Sequence, residues 1–134
     1  MDKDVMVKFN RYPEEVKSRL LEVRGVIYSV AEEESLGEVI ETLKWNEASY
    51  QTMGGSPLRL DWKEKSPHTL SLYFNCKTRL IETFKEVYRD TFIYEGNREM
   101  VLNVSEALPL PELKACISMT LRYHKIKHLP LLGA

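Results

Sequence analysis

One short segment, residues 42–50, combines side chains that could bind a ligand or move a proton. Glu47 lies between Trp45 and Tyr50, and Lys44 precedes them. A carboxylate against an aromatic wall can have a raised pKa and act as a general base, or it can accept hydrogen bonds from a ligand amine. No second carboxylate is tied to Glu47 by spacing, and a structural hydrogen bond to a neighbouring turn would use the same group. We therefore interpret Glu47 as a binding residue and not as a catalytic one.

Polar and apolar side chains alternate in two later segments, 58–62 and 70–74. A period of two predicts strands with one dry face, and the turn between the segments is too short for a parallel crossover. The polar side chains would then share the face opposite the core, where they could receive a polar or anionic ligand or simply pair with one another. These residues are Arg59, Asp61, Lys63, Ser71, Tyr73 and Asn75.

Arg98 ends the segment Glu-Gly-Asn-Arg over residues 95–98, which is typical of a hairpin turn. A guanidinium at such a tip could bind a carboxylate or phosphate through two hydrogen bonds, or it could form a structural ion pair. The predicted ligand-binding residues are Lys44, Trp45, Glu47, Tyr50, Arg59, Tyr73, Asn75 and Arg98.

No set of acid, base and nucleophile stands at a recognisable spacing. Cys76 precedes a helix that Thr78 could cap, where a thiolate is favoured, but the strand alternation places it on the apolar face as a small buried side chain. Cys116 falls on the inward stripe of the last helix. The chain has neither a nucleophile elbow nor a phosphate loop. Enzymatic activity stays an alternative, and we favour a protein without catalytic residues.

Two groups of residues could hold a metal ion. His124 and His128 lie one helical turn apart, although the basic end of a helix explains them equally well. The residues 32–34, Glu38 and Glu41 form an acidic stretch that could hold a hard cation such as iron, and an exposed hinge would look the same. Neither group is a complete ligand set, so we assign no metal ligand and no cofactor, with iron as an alternative.

Composition limits the classes of partner. The chain has 134 residues, 43% of them apolar, which suffices for one core and predicts a single domain over residues 1–134. The 19 basic and 20 acidic residues give a net charge of −1, so no overall field favours nucleic acid. No stretch approaches the roughly 20 apolar residues of a membrane span. Two separated cysteines and no export signal indicate the cytoplasm.

The remaining pattern predicts helices on either side of the strands. Pro13 and the two glutamates after it indicate a helix start, and capping-box spacing from Ser35 to Glu38 indicates another. The predicted order is a helix over 13–31, a helix over 36–43, the two strands, a helix after residue 78, a hairpin of 91–94 with 100–104, and a helix over 111–127. This order predicts an α+β fold in which an antiparallel sheet of about five to six strands packs against helices.

Four segments of the chain recur together in one protein family. They are residues 42–50, 61–63, 73–78 and 94–98. In this order they resemble the motifs of the YdhG-like proteins, also called domain of unknown function 1801, and the likeness spans about residues 9–130. The chain departs from the family at Asn46, Ala48 and Asn75, where glycine, proline and histidine are usual. The resemblance implies a distant likeness to frataxin-like iron-handling folds, and one branch of the family is described as an iron chaperone.

The favoured interpretation is a cytoplasmic, non-enzymatic binding module for a small polar or anionic ligand or for a protein partner, without nucleic acid or membrane. A frataxin-like iron chaperone is one alternative. A homo-oligomeric interaction module, such as a homodimer, is the other.

Overall fold

Eleven helices and strands make up the chain, and the computed structural model describes all residues, 1–134. In chain order they are α1 (Lys3–Asn10), α2 (Glu14–Glu33), β1 (Ile40–Lys44), β2 (Glu47–Gln51), β3 (Leu58–Trp62), β4 (Thr69–Phe74), α3 (Leu80–Val87), β5 (Ile93–Glu95), β6 (Glu99–Asn103), α4 (Leu110–Leu121) and α5 (Tyr123–Ile126). A 3₁₀ turn, Pro130–Gly133, follows them. The α+β class is as predicted.

The six strands form one open sheet in the order β1-β2-β3-β4-β6-β5, and every neighbouring pair is antiparallel. Strand β4 follows the predicted period of two, so that Leu70, Leu72 and Phe74 are buried while the residues between them are partly exposed. The apolar side packs with the helices into one cluster of 31 buried residues. We call the opposite side of the sheet the open face.

The helix predicted over residues 36–43 is wrong, because this segment contains strand β1. Positive φ angles at Ser35 (54°) and Gly37 (86°) separate it from α2. The strand then pairs with β2 through five residue pairs, and Trp45 and Asn46 form the turn with φ of 52° and 63°. Two consecutive positive φ values match the tight turns whose twist suits an antiparallel hairpin. Pairing with β2 therefore overrides the helical spacing of the apolar residues.

Helix α1 was not predicted, although its sequence carries a cap. The Asp2 carboxylate accepts hydrogen bonds from the backbone N–H groups of Asp4 and Val5, and Val5 and Phe9 bury the inner face. The end of α1 leads to Tyr12, whose hydroxyl donates to a carboxylate of β3. The first turns of the chain are thus part of the packed structure.

The helix predicted over 111–127 is divided at Arg122 into α4 and α5. The loop after β2 binds backbone groups at this junction: Ser56 N–H donates to Thr120 O at 2.9 Å, and Thr52 Oγ1 donates to Leu121 O at 2.8 Å. Because these carbonyls bond to the loop, the helix does not continue straight through the junction. None of the helices combines the length and apolar composition that a membrane crossing requires.

Candidate functional site

Five residues lie side by side across the open face, one from each of the strands β2, β3, β4, β6 and β5. The register pairs Ser49 with Arg59, Arg59 with Tyr73, Tyr73 with Glu99 and Glu99 with Glu95. Directly opposite residues of antiparallel strands have Cβ atoms only about 4.5–5.5 Å apart. This cross-strand row therefore runs from a cation through an aromatic ring to two anions.

A cavity of about 130 Å³ opens at the cationic end of the row. We call it the arginine cavity, and its lining residues are Pro57, Arg59, Tyr73, Phe74, Asn75, Cys76 and Arg98. Arg98 reaches it from the β5–β6 hairpin, and its guanidinium carbon is 5.7 Å from the centre of the Tyr73 ring, a cation–π distance. The backbone of the hairpin is held in place because Phe74 N–H donates to Arg98 O at 2.7 Å. Two guanidinium groups from different elements thus line one small space.

The positive charge of the arginine cavity is only weakly neutralised by the protein. Arg59 Nη1 lies 3.7 Å from Glu47 Oε1, which is longer than the roughly 2.7–2.9 Å of a charge-assisted hydrogen bond. Arg98 is exposed and forms no ion pair in the structure. Both guanidinium groups therefore keep donors that an anion entering the cavity could bind.

Glu47 contacts Arg59 from beside the arginine cavity but is not one of its lining residues. Burial raises its pKa, and the negative charge of Asp61 adds to that shift. Asp61 is itself engaged from the other side, since Tyr12 Oη donates to it at 2.7 Å and Lys8 Nζ lies 3.5 Å away. Glu47 is thus the carboxylate nearest to Arg59, whereas Asp61 belongs to the attachment of the N-terminal segment.

Asn75 and Cys76 reach the arginine cavity from the turn that follows β4. Asn75 Oδ1 accepts a hydrogen bond from Lys77 N–H at 2.8 Å, and the side-chain NH₂ group of Asn75 makes no hydrogen bond within the protein. Cys76 is exposed. The interpretation of Cys76 as a buried side chain is wrong, because β4 ends at Phe74 and the alternation does not continue into the turn.

Besides Glu47, three more of the predicted site residues lie outside the lining of this cavity. Tyr50 is fully buried on the helix side of the sheet, where its hydroxyl donates to Glu41 at 2.8 Å, so its prediction as a residue of the open face is wrong. Glu47 and Tyr50 are three positions apart in one strand, and an odd separation puts two side chains on opposite faces. Trp45 is 85% exposed at the β1–β2 turn, and Lys44 is exposed just before it.

Sequence reasoning missed the two acids of the row. Glu99 and Glu95 line a second cavity of about 220 Å³ that shares Tyr73 with the arginine cavity. Its other lining residues are Asp61, Lys63, Lys65, Ser66, Thr69, Ser71 and Val101. The signal was present in β6, where Glu99, Val101 and Asn103 alternate with buried Met100 and Leu102.

The acidic stretch considered for iron is largely occupied by cations of the protein. Glu33 pairs with Lys114 at 3.1 Å, and Glu34 with Arg122 at 3.4 Å. The structure contains no cluster of three or more histidine, cysteine, aspartate or glutamate residues placed to hold a metal ion. The iron alternative stays a prediction from the sequence.

Cys116 is fully buried in α4, and burial raises the pKa of its thiol, so the sulfur stays protonated. No nucleophile is therefore available at this position.

Comparisons with protein-family models, with curated proteins and with solved structures find no match to this chain. The fold and the cross-strand row are thus the basis for any inference about function.

Proposed function

We propose that this chain is a non-enzymatic, cytoplasmic protein of the YdhG-like family that binds a small anionic ligand, a carboxylate or a phosphate, in the arginine cavity. One observation carries the proposal: Arg59 and Arg98, from two separate elements, line the same cavity with Tyr73 between them. Neither guanidinium has a close carboxylate partner.

The chemistry of the lining favours an anion with two or more oxygen atoms. A guanidinium presents planar N–H donors that match a carboxylate or phosphate, and such bonds are about twice as strong as neutral ones. The free NH₂ group of Asn75 adds a third donor to the same cavity. The ring of Tyr73 supplies a flat surface for the carbon part of the ligand. Burial raises the pKa of the Tyr73 phenol, so the ring stays neutral at physiological pH.

The proposal is tested by thermal unfolding in the presence of acetate, butanoate, ethyl phosphate and inorganic phosphate. A ligand at about 100 times its dissociation constant adds roughly 2.7 kcal/mol to the free energy of unfolding, which raises the midpoint by several degrees in a domain of this size. We expect such a shift with at least one of these anions, and we expect Arg98→Gln and Arg59→Gln to abolish it.

Arg89→Gln is the matched control, because Arg89 is a highly exposed arginine whose only ion pair is a 4.0 Å contact with Glu86. This variant should keep the full shift. An equal loss in Arg89→Gln would mean that the anion acts on overall charge, and no shift with any anion would overturn the proposal.

A further inference from the structure

We propose that the ligand is zwitterionic: its anionic group binds Arg59 and Arg98, and a cationic amine binds Glu99 on the other side of Tyr73. This inference rests on the proposed anion site and adds the chemical class of the second half of the ligand. It follows from the order of charges along the cross-strand row.

Two carboxylates without an ion-pair partner, Glu99 and Glu95, form one end of the cross-strand row. Glu99 and Glu95 are direct partners across β6 and β5, and like charges directly opposite each other destabilise a sheet. Neither of them forms an ion pair with a lysine or arginine of the protein. Lys63 and Lys65 line the same cavity without contacting these acids as ion pairs. A cation bound between the two carboxylates would remove the repulsion.

Glu99 is positioned to accept from such a cation. Its Oε2 atom accepts a hydrogen bond from Ser71 Oγ at 2.6 Å, which fixes the orientation of the carboxylate. The other carboxylate oxygen, Oε1, makes no hydrogen bond within the protein. Glu99 is partly exposed and lies next to Tyr73, so a ligand lying on the ring can reach it from the arginine cavity.

The strand spacing sets the length of the ligand. Adjacent strands lie about 4.7–4.9 Å apart, so Arg59 and Glu99 are separated by roughly 10 Å at the backbone. Side chains stand roughly perpendicular to a sheet, so the charged ends of Arg59 and Glu99 keep about this separation. Charge-assisted hydrogen bonds of about 2.7–2.9 Å at each end then leave roughly 4 to 5 Å between the two charged groups of the ligand. A compact α-amino acid is shorter than this. An ω-amino carboxylate or an aminoalkyl phosphate has the required separation.

Two pairs of probes that differ only in the amine provide the test: butanoate with 4-aminobutanoate, and ethyl phosphate with 2-aminoethyl phosphate. Dissociation constants would be measured by NMR titration of the amide resonances. We expect the amine to tighten binding about tenfold in at least one pair, in line with one charge-assisted hydrogen bond. Glu99→Gln should remove that advantage without weakening the amine-free probe, whereas Arg98→Gln should weaken both members of the pair.

Glu86→Gln serves as the control, because Glu86 is a 63% exposed acid on α3 and does not line either cavity of the row. This variant should keep the preference for the amine. Binding of the amine-free probes with no preference for the amine would overturn this inference and leave the proposed function standing. A preference that survives Glu99→Gln would also overturn it. If none of the four probes binds, the proposed function fails and this inference fails with it.

Discussion

Glu41 shows how one residue on the helix side of β1 is fully used in structural contacts. Arg24 Nε donates to its carboxylate at 2.6 Å, and Tyr50 Oη and the backbone N–H of Asp2 each donate at 2.8 Å. Burial, the largest single effect, would raise the pKa of Glu41, but these three hydrogen bonds and the positive charge of Arg24 together outweigh it and hold the pKa below its ordinary value. The network joins the N-terminus, α2 and two strands, and it explains why Tyr50 is structural.

We expect Glu41→Gln to lower the free energy of unfolding at pH 7 by about 1 to 3 kcal/mol, because it leaves Arg24 without its counter-charge. A depressed folded-state pKa contributes stability above the unfolded-state value of about 4.3, and this contribution is lost as the pH falls through the folded-state value. The difference between the two proteins should therefore shrink below about pH 4 in denaturant titrations. Exposed Glu38→Gln should change stability by less than about 0.5 kcal/mol. A difference that stays constant down to pH 2 would contradict the assignment.

The odd or even spacing of residues along a strand determines which site residues could be predicted from the sequence. Arg59 and Tyr73 lie in strands with clean alternation, so their common face followed from the pattern alone. The prediction that Tyr50 lies on the open face was wrong because the sequence pattern did not assign residues 47–51 to a strand. Only in a strand do Glu47 and Tyr50 lie on opposite faces. The contact of Arg98 with Tyr73 depends on the distance between a hairpin and a neighbouring strand, which no local pattern specifies.

At the scale of elements, the loop 52–56 fixes the junction of α4 and α5. A Cβ atom on Gly55 would lie 2.5 Å from the carbonyl oxygen of Leu121 and 2.8 Å from its carbon, and both are backbone atoms that cannot easily move. His124 N–H also donates to Gly54 O at 2.9 Å. Close approach of two backbones therefore requires a residue without a side chain at position 55.

We expect Gly55→Ala to destabilise the protein by about 1 to 3 kcal/mol, because the added methyl group forces the loop away from α4. Gly25→Ala makes the same chemical change in the exposed middle of α2, where nothing lies within 4 Å of the new atom. There the higher helix propensity of alanine should stabilise the protein by about 0.5 to 1 kcal/mol. Thermal or urea unfolding of both variants checks the opposite signs. Destabilisation of equal size in both would show that the loop contact is unimportant.

The type of a secondary-structure element was predictable where its apolar residues fitted only one periodicity, either helical or strand-like. The alternation in β3 and β4 and the apolar stripe of α2 are each compatible with a single structure. Residues 36–43 satisfy helical spacing, but residues 40–43 belong to strand β1 because they pair with β2, which is a tertiary effect. The division of the last helix at Arg122 likewise follows from hydrogen bonds to a loop far away in the sequence.

For the whole molecule, α1 packs beside β1, the strand at one edge of the sheet. Phe9 is 1% exposed, and the residues after it attach to β3 through Tyr12 and Asp61. We expect Phe9→Ala to lower the free energy of unfolding by about 3 to 5 kcal/mol, which is the range for a lost core aromatic residue. Met6→Ala, on the same helix but 42% exposed, should cost much less. Similar losses in both variants, measured by urea unfolding, would indicate that α1 is not part of the cooperative structure.

The positive and negative charges of the molecule nearly cancel in total, but they are unevenly distributed over its surface. The net charge is −1, which gave no hint of a binding field at the level of composition. The open face separates a cationic end from an anionic end along one row. A local arrangement of this kind acts over the width of a few strands, so total charge cannot reveal it.

Cys76 offers a natural attachment point for a spectroscopic label on the lining of the arginine cavity. It is the one exposed thiol of the chain, since the other cysteine is fully buried in α4. A fluorophore or nitroxide that reacts with thiols would therefore couple at a single position, on the lining of the cavity, without any engineered cysteine. The native protein can thus report the filling of its cavity through the emission or mobility of one reporter group.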